Sequence, residues 1–307
     1  MAVDEGGELA IEDTAPSNKE MIVNTKGKVL IVGSDSHTFE LKSGRQAPTG
    51  YYLNELAVPA RAIVDSGYQA VLATPKGTPP VVDQFSVNAD YFDRSQAALQ
   101  SALEFVATTP SLQAPRSIRS AIEDGLDGYA GVFVPGGHPP MIDLMQDPDL
   151  GEVLRHFHAE SKPTALLCHG PVALTSAMSQ SKEFRQALVR GDRGAAETAA
   201  EGWQYNGYRM TVFSNEEEQW AEQNILDGER VLFYPADALT AAGGAVQGQG
   251  VFECNVVQDR ELITGQNPFS DRPFADLFVA ALDQLSYRGR ASADAPTLGS
   301  ARVSSMP

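Results

Sequence analysis

Cys168 lies between a hydrophobic run and a glycine, a setting in which a thiol can be reactive. Residues 164–168 read TALLC, and His169, Gly170 and Pro171 follow. A buried strand that ends at a cysteine and turns into a helix places the sulfur at the carboxyl edge of a sheet, where α/β proteins bind ligands. The partial positive charge of the helix amino terminus is expected to favour the reactive thiolate. The pattern predicts a nucleophile, and a small buried core residue is the open alternative.

A second glycine-rich turn follows the apolar run at 131–134. It consists of Pro135, Gly136, Gly137 and His138. Two consecutive glycines could expose backbone amides that hold an oxyanion. A Pro-Gly-Gly turn is more often only a turn, so both interpretations stay open at this point.

The other cysteine and the closest pair of histidines give no comparable signal. Cys254 lies inside the strand-like run GVFECNVVQD without an adjoining glycine or histidine, and we predict a structural role for it. His156 and His158 are two residues apart, a spacing that does not put both side chains on one face of a helix. The sequence therefore predicts no metal site.

Short apolar runs alternate with segments of helical spacing and indicate the elements that carry these residues. The runs are KVLIVG at 28–33, QAVLATP at 69–75, YAGVFVPGG at 129–137, TALLC at 164–168 and YRMTVF at 208–213. Such runs are typical of strands buried on both faces, and their alternation with helices predicts an α/β fold with a mostly parallel sheet. The clearest helices are SQAALQSALEFVA and PFADLFVAALDQL. Pro59 is expected to bend or interrupt the helix within 51–67.

The predicted organisation is one domain between two arms. An acidic, polar amino-terminal arm spans 1–25, and a tail rich in Ala, Ser, Pro and Gly spans 288–307. The domain spans 26–287 and contains two insertions, near 78–120 and 180–207, that lack the alternating pattern. We expect the insertions to form a small cap or a contact between subunits.

The composition argues against several classes of protein. The chain has 307 residues, 42% of them hydrophobic, and a net charge of -17 at pH 7. This charge opposes binding to nucleic acid and to anionic membrane surfaces. The two cysteines, the absence of a signal-like amino terminus and the absence of a long apolar run predict a soluble protein of the cytoplasm.

Four blocks together resemble the ThiJ/PfpI superfamily, whose fold is like that of class I glutamine amidotransferases. The closest likeness is to its branch of glutathione-independent glyoxalases (glyoxalase III) and heat-shock chaperones. The blocks are TGYYLNELAVPARAIVDSGYQAVLATPKG (49–77), GVFVPGGHPPMIDLMQDPDL (131–150), ALLCHGPVAL (165–174) and LITGQNPFS (262–270). The sequence departs from the family at Ile142, where Trp is common, and at Val172, where a small residue is common.

The resemblance implies a flavodoxin-like sandwich and assigns roles to the candidate residues. Cys168 would be the nucleophile, Glu55 the acid that shares a proton with it, and His169 its neighbour in the site. An acid in the run at 216–218 would orient His169, and Glu218 is favoured over Glu217. Gly136, Gly137 and His138 would bind the oxyanion or the substrate. A solvated surface glutamate and a packed histidine are the open alternatives for Glu55 and His169.

The implied reaction converts 2-oxoaldehydes such as methylglyoxal to 2-hydroxy acids, as part of a stress response and without a metal or organic cofactor. The alternatives are another Cys-dependent hydrolase, hydratase or deglycase of the superfamily, or a holdase chaperone that uses Cys168 as an oxidation sensor. A member that has lost turnover is a further alternative. The resemblance also implies a small carbonyl substrate and a homodimer, because relatives are often dimers.

Overall fold

The computed structural model describes residues 25–293, with side chains as far as residue 287. The predicted amino-terminal arm therefore lies outside the described residues except for Thr25, as does the tail beyond Ala293. The last helix continues to Ala293, into the segment that the sequence assigns to the tail.

A seven-stranded sheet forms the centre of the fold. Its strand order is β10-β11-β7-β6-β1-β4-β5, and every pair is parallel except β10 with β11. Two further pairs, β2 with β3 and β8 with β9, lie outside this sheet. The strands are β1 (Lys28–Val32), β2 (Thr38–Glu40), β3 (Gln46–Pro48), β4 (Gln69–Thr74), β5 (Arg116–Ser117), β6 (Tyr129–Val134), β7 (Thr164–Leu167), β8 (Arg209–Met210), β9 (Ala245–Val246), β10 (Val256–Asp259) and β11 (Leu262–Gly265).

Helices surround the sheet and connect its strands. They are α1 (Leu53–Asp65), α2 (Gln96–Thr108), α3 (Pro110–Gln113), α4 (Ile118–Glu123), α5 (Pro148–Ala159), α6 (Ser181–Arg190), α7 (Arg193–Ala199), α8 (Asn215–Asn224), α9 (Pro235–Ala241) and α10 (Asp271–Ala293). The two clearest helices of the sequence are confirmed as α2 and part of α10. A 3₁₀ helix at Gly170–Ala177 follows β7.

Both faces of the sheet are buried. In β1, Val29 and Ile31 pack into a cluster with side chains of α1 and α10. Leu30 and Val32 point the other way, into a cluster with side chains of α5. This alternation is the two-residue period of a strand covered on both faces. The predicted α/β sandwich with a mostly parallel sheet is confirmed.

Three local predictions are corrected. Only Arg209–Met210 of the run 208–213 is a strand, and it pairs with β9 outside the main sheet, because β11 occupies the place beside β7. Cys254 is exposed and precedes β10, so it is not a structural residue within a strand. Of the two effects expected at Pro59, interruption of the helix is wrong, because α1 continues through this residue.

The two predicted insertions are mostly helical. The first contains α2, which packs on α1 through a small apolar cluster, and it also supplies the edge strand β5. The second contains α6 and α7, and Phe184 of α6 is fully buried in the main core. Both segments are therefore joined to the central fold by apolar contacts. Within residues 25–293, no helix combines the length and apolar character that crossing a membrane requires.

Candidate active site

Cys168 occupies a sharp turn at the carboxyl end of β7. Its φ is +59°, a left-handed conformation that is rare for residues with a side chain. Two backbone hydrogen bonds hold the turn: the Cys168 amide donates to the Gly265 carbonyl at 2.8 Å, and the Phe213 amide donates to the Cys168 carbonyl at 2.9 Å. Neighbouring segments therefore fix a backbone conformation that Cys168 alone would disfavour.

The turn brings the side chains of Cys168 and His169 together although they are adjacent in sequence. The His169 Nδ1 lies 3.3 Å from the Cys168 Sγ, and the His169 Nε2 lies 2.8 Å from the Glu218 Oε2. Because the Glu218 carboxylate accepts a hydrogen bond, we assign the proton to Nε2, which leaves Nδ1 free to accept the thiol proton. This arrangement has the geometry of a Cys-His-acid triad.

Glu218 is fully buried and binds two imidazoles. Its second oxygen, Oε1, lies 2.8 Å from the His138 Nε2. Burial alone would raise the pKa of Glu218, but His138 and His169 together hold the pKa at about 2. Glu218 is therefore ionised at any pH at which the protein would work.

The two imidazoles that share Glu218 are affected in opposite directions. Burial tends to lower the pKa of His138, but the charges of Glu218, Asp83 and Glu222 outweigh it and raise that pKa. At His169, burial and repulsion by His138 outweigh the attraction of Glu218, so its pKa is lowered. His138 therefore binds a proton more readily than His169, and His169 remains a neutral base beside the thiol.

Glu55 is fully buried in the first turn of α1. Burial raises the pKa of Glu55 to about 8, and the charge of Asp271 adds to this effect, while Cys168 and the Gly136 amide partly oppose it. Cys168 and the Gly136 amide lie close to the Glu55 carboxyl group but form no regular hydrogen bond with it. Neither Glu55 oxygen has a hydrogen-bond partner among the described residues. Glu55 is therefore mainly a neutral acid at pH 7, and the alternative of a solvated surface residue is wrong.

The expectation that the turn favours a thiolate at Cys168 is wrong. Burial raises the pKa of Cys168 well above its usual value, and the charge of Glu55 adds to this effect. The Gly137 amide opposes both without cancelling them. The resting sulfur is therefore a thiol, and His169 must take its proton before the sulfur can react. Cys168 is only 2% exposed, but its contact with His169 distinguishes it from an inert core residue.

The Pro-Gly-Gly turn packs directly against the reactive groups. A methyl group added at Gly136 would lie 2.3 Å from the Glu55 Oε2 and 2.6 Å from the Cys168 Cβ. Gly137 has a φ of +82°, and its amide faces the Cys168 sulfur closely enough to lower the pKa of the thiol. This amide is thus in position to donate to an oxyanion. The His138 ring pairs with Glu218 through its Nε2, and a role of His138 in binding the oxyanion or the substrate stays a prediction.

Glu217, the other candidate acid, points into a separate network. Its carboxylate accepts hydrogen bonds from the backbone amides of Phe252 and Ser214, both at 2.8 Å, and from the Asn267 side chain at 2.8 Å. Glu217 is fully buried and also completes a capping box with Ser214 at the start of α8. It therefore stabilises the loop beside the site, whereas Glu218 contacts His169.

Several residues near the reactive groups gave no signal in the sequence. The Phe213 ring packs on His169 with 4.5 Å between ring centroids. Burial raises the pKa values of the Tyr52 and Tyr91 phenols, and the charges of Cys168 and Glu55 add to this effect. Asn54 donates to Asp271 at 3.0 Å, beside Glu55. Single aromatic or amide residues have no spacing rule, so only their positions in space reveal them.

His138, His169 and Glu218 also form the arrangement that a divalent metal would need. One ligand atom from each lies within 4.8 Å of the others, and all three residues are buried. Two histidines and a carboxylate are a common metal-binding set. The sequence could not indicate this set because the three residues come from separate segments. The two hydrogen bonds of 2.8 Å also satisfy Glu218 without a metal.

Comparison with known proteins places the chain in a family. A model described as ThiJ/PfpI family-like matches residues 47–203, which is more than half of the chain. The chain belongs to the ThiJ/PfpI family. The matched region contains Glu55, the Gly136–Gly137 turn, Cys168 and His169, and it ends before Glu218. The predicted resemblance to this superfamily is confirmed.

Several known proteins match most of the chain in sequence or in fold. The protein/nucleic acid deglycase HchA of Pseudomonas aeruginosa is 24% identical over 264 residues, with 83% of this chain and 80% of HchA covered. HchA of Staphylococcus aureus is also 24% identical, over 259 residues. Glyoxalase III from Candida albicans superposes with a TM-score of 0.63 at 20% identity, over 83% of this chain and 97% of that chain. The Francisella tularensis Rapid Encystment Protein 24 kDa superposes with a TM-score of 0.64 at 23% identity, over 83% and 99%.

Proposed function

We propose that this protein is a glutathione-independent glyoxalase that converts 2-oxoaldehydes such as methylglyoxal to 2-hydroxy acids. The observation that carries the proposal is a neutral, fully buried acid, Glu55, packed against a thiol that also contacts a neutral imidazole. Moving a proton between two carbons needs a group that can both give and take it near pH 7, and Glu55 has a pKa of about 8. The names of the deglycase and glyoxalase III relatives support carbonyl chemistry.

The first step is addition of the thiol to the aldehyde carbon. His169 Nδ1 takes the proton of Cys168, and the sulfur forms a bond to the aldehyde carbon. The carbonyl oxygen becomes an oxyanion that the Gly137 amide stabilises and that Glu55 then protonates. The product is a hemithioacetal, and Glu55 is left as a carboxylate.

The second step moves hydrogen between the two carbons. The Glu55 carboxylate takes the proton from the former aldehyde carbon, while the protonated His169 gives its proton to the ketone oxygen, and an enediol results. Glu55 returns its proton to the second carbon, and His169 takes the proton of the first hydroxyl, which gives a thioester. Water then adds to the thioester and gives a proton to the Glu55 carboxylate. The carbon–sulfur bond breaks, and His169 returns its proton to the sulfur, so the 2-hydroxy acid leaves and the Cys168 thiol, neutral His169 and protonated Glu55 are restored.

A direct test is to incubate the pure protein with methylglyoxal in the absence of glutathione and to follow lactate. Formation of lactate at a rate proportional to protein concentration is the expected result. No lactate, together with clear activity on a panel of amides or isonitriles, would contradict the proposal and favour a hydrolase or hydratase.

A deglycase is the second candidate, because the HchA relatives carry that name. Attack by Cys168 on a carbonyl-derived adduct of an amino group would use the same thiol and imidazole. The relatives' name includes nucleic acids, but the net charge of -17 opposes lasting contact between this chain and a phosphate backbone. Release of free arginine or guanine from methylglyoxal adducts at a rate above that of lactate formation would favour the deglycase.

The homodimer, the cytoplasmic location and the single domain at 26–287 remain part of this proposal. Light scattering of the full chain is expected to give twice the mass of 32.9 kDa. A holdase chaperone remains the alternative outside enzymes.

Glu218 and Glu217 provide a matched pair of variants. Glu218→Gln removes the charge that orients His169, so we expect kcat/KM for methylglyoxal to fall by about 100-fold or more. Glu217→Gln disturbs the loop network and is expected to lower the free energy of unfolding while the folded fraction keeps its kcat. Steady-state kinetics and urea unfolding of both variants check the assignment. Equal losses of kcat in the two would contradict the distinct role of Glu218.

EDTA and added Zn²⁺ test whether turnover depends on a metal ion. Because the proposed steps use only Cys168, Glu55, His169 and backbone amides, turnover is expected to persist in EDTA. Added Zn²⁺ is expected to inhibit by binding His138, His169 and Glu218, since it would compete for the imidazole that must accept the thiol proton. Loss of turnover in EDTA and recovery with Zn²⁺ would contradict the cofactor-free mechanism.

A further inference from the structure

A chain of aromatic side chains runs from the reactive groups to the protein surface. We call it the aromatic rim; its members are Tyr52, Tyr91, Phe213, Trp220, Phe252 and Phe269. Consecutive rings along the chain are in contact, with centroid distances of 5.5 Å (Tyr52–Tyr91), 5.6 Å (Tyr91–Phe269), 5.9 Å (Phe269–Phe252), 4.9 Å (Phe252–Trp220) and 6.3 Å (Phe252–Phe213).

Both ends of the rim reach the site. At one end, the Phe213 ring packs on His169 at 4.5 Å. At the other end, Tyr52 and Tyr91 lie within electrostatic range of both Glu55 and Cys168. Tyr52 directly precedes α1, whose first turn carries Glu55, so the two ends of the rim lie beside His169 and beside the helix turn of Glu55.

The outer part of the rim is accessible to solvent. Trp220 is 36% exposed and Phe269 is 41% exposed. Phe85, which packs on Trp220, and Val251, which adjoins Phe252, are also exposed. Most large apolar side chains of a soluble protein are withdrawn from water, so a contiguous exposed group beside a reactive thiol indicates a binding surface.

Buried hydrogen bonds hold the rim in place. The fully buried Glu217 has no part in the proposed steps. It accepts hydrogen bonds from the Phe252 backbone amide and from the side chain of Asn267, which lies two residues before Phe269. Phe252 itself has a φ of +58°, a conformation maintained by this network. The network thus fixes Phe252 and Phe269 relative to α8, which carries Trp220.

The charges around the rim disfavour an anionic ligand. Asp83, Asp90 and Asp271 lie near Tyr52, Tyr91 and the start of α10, and Arg272 is paired with Asp93 at 2.9 Å. Arg94, beside Tyr91 in this segment, is likewise paired with an acid, Asp90, at 3.9 Å. A neutral ligand with an apolar or aromatic group fits this environment.

We propose that the aromatic rim binds the substituent of the substrate and selects 2-oxoaldehydes that carry an aryl group over methylglyoxal. This inference rests on the proposed glyoxalase function and adds the class of substrate. The reacting aldehyde carbon bonds to Cys168, and the aryl group of the substrate stacks among the rings of the rim. Aromatic contact of this kind is absent with a methyl group.

The test compares phenylglyoxal with methylglyoxal in the full chain. We expect kcat/KM for phenylglyoxal to exceed that for methylglyoxal by about tenfold or more. Phe269→Ala and Trp220→Ala are expected to reduce this ratio by about five- to tenfold, because kcat/KM should fall more for phenylglyoxal than for methylglyoxal. Tyr287→Ala, at a side chain that is 74% exposed on α10, is the matched control and should leave the ratio unchanged. An unchanged ratio in both rim variants would overturn the proposal.

A binding measurement separates this inference from the proposed reaction. Calorimetry with the Cys168→Ala variant compares 2-hydroxyacetophenone with hydroxyacetone, two ketones that cannot react with it. Tighter binding of the aryl ketone, weakened by Phe269→Ala, supports the rim even if no turnover of either aldehyde is found. Equal binding of the two ketones would overturn the inference, whatever the activity.

The same variants distinguish a substrate surface from a contact between subunits. Sedimentation of Phe269→Ala and Trp220→Ala is expected to give the mass of the wild-type protein. A lower mass in the variants, with an unchanged ratio of the two substrates, would assign the rim to a second copy of the chain and overturn the proposal.

Discussion

Cys168→Ala is expected to abolish lactate formation from methylglyoxal and to leave the fold intact. The sulfur forms the covalent bond in the proposed reaction, so its removal should lower kcat by about 10⁴-fold or more. Alanine is smaller than cysteine and has the same backbone constraints at the φ of +59°, so no new clash arises. Lactate formation, followed beside a thermal unfolding curve, checks both parts of the expectation.

Cys254→Ala is the matched control for this experiment. Cys254 is the second cysteine, and it is exposed on a loop before β10. The variant should keep the wild-type rate, because its thiol has no part in the proposed steps. Substantial turnover by Cys168→Ala would contradict the glyoxalase mechanism. If that variant still prevents aggregation of a client protein, the chaperone activity is independent of catalysis.

Glu55→Gln is expected to raise stability and to remove turnover. The folded protein holds the pKa of Glu55 at about 8 against an ordinary value of 4.5, so the buried acid stays protonated where the unfolded chain ionises. Between these two values the unfolded state binds fewer protons than the folded state, and the free energy of unfolding falls as pH rises. A neutral glutamine does not ionise in either state, so the variant lacks this loss, which amounts to about 3 kcal/mol at pH 7.

Catalysis should change in the opposite direction, because glutamine cannot take a proton from one carbon and give it to the next. We expect kcat for methylglyoxal to fall by about 100-fold or more. Urea unfolding of the wild-type protein and the variant between pH 5 and about 9 measures the stability difference, which should widen up to the pKa of about 8 and then level off. Glu123→Gln, at an exposed position of α4, is the control and should show neither effect. A stability difference that does not depend on pH would contradict the assignment of a raised pKa to Glu55.

The comparison of Glu217 with Glu218 shows where sequence information ends. Both acids lie in one run of three glutamates, and local patterning cannot tell which of them turns toward His169. The capping box with Ser214 directs Glu217 to the start of α8 and to the loop that carries Phe252, and the next residue along the helix then faces the histidines. The geometry of α8 and the residues packed around it decide which of the two glutamates contacts His169.

The ionisation of the site differs most from the expectation formed on the sequence. The turn after β7 predicted a thiolate, since a helix amino terminus stabilises negative charge. The thiol is instead buried beside a carboxyl group from α1, and both effects raise the pKa of Cys168. A pKa depends on burial and on charges within a few ångströms, so it cannot be obtained from the residues adjacent to a group in sequence.

The sequence by itself determined the sandwich of helices and strands, the strand that ends at Cys168 and the glycine turn beside it. These features follow from the two-residue and 3.6-residue periods of consecutive residues and from the backbone freedom of glycine, which are local properties. The tertiary structure decided that Glu55 is a neutral acid against the thiol, that His138 and His169 share Glu218, and that aromatic rings from separate segments border the site. These features depend on distances between segments far apart in the chain, which only the packing of the whole domain fixes.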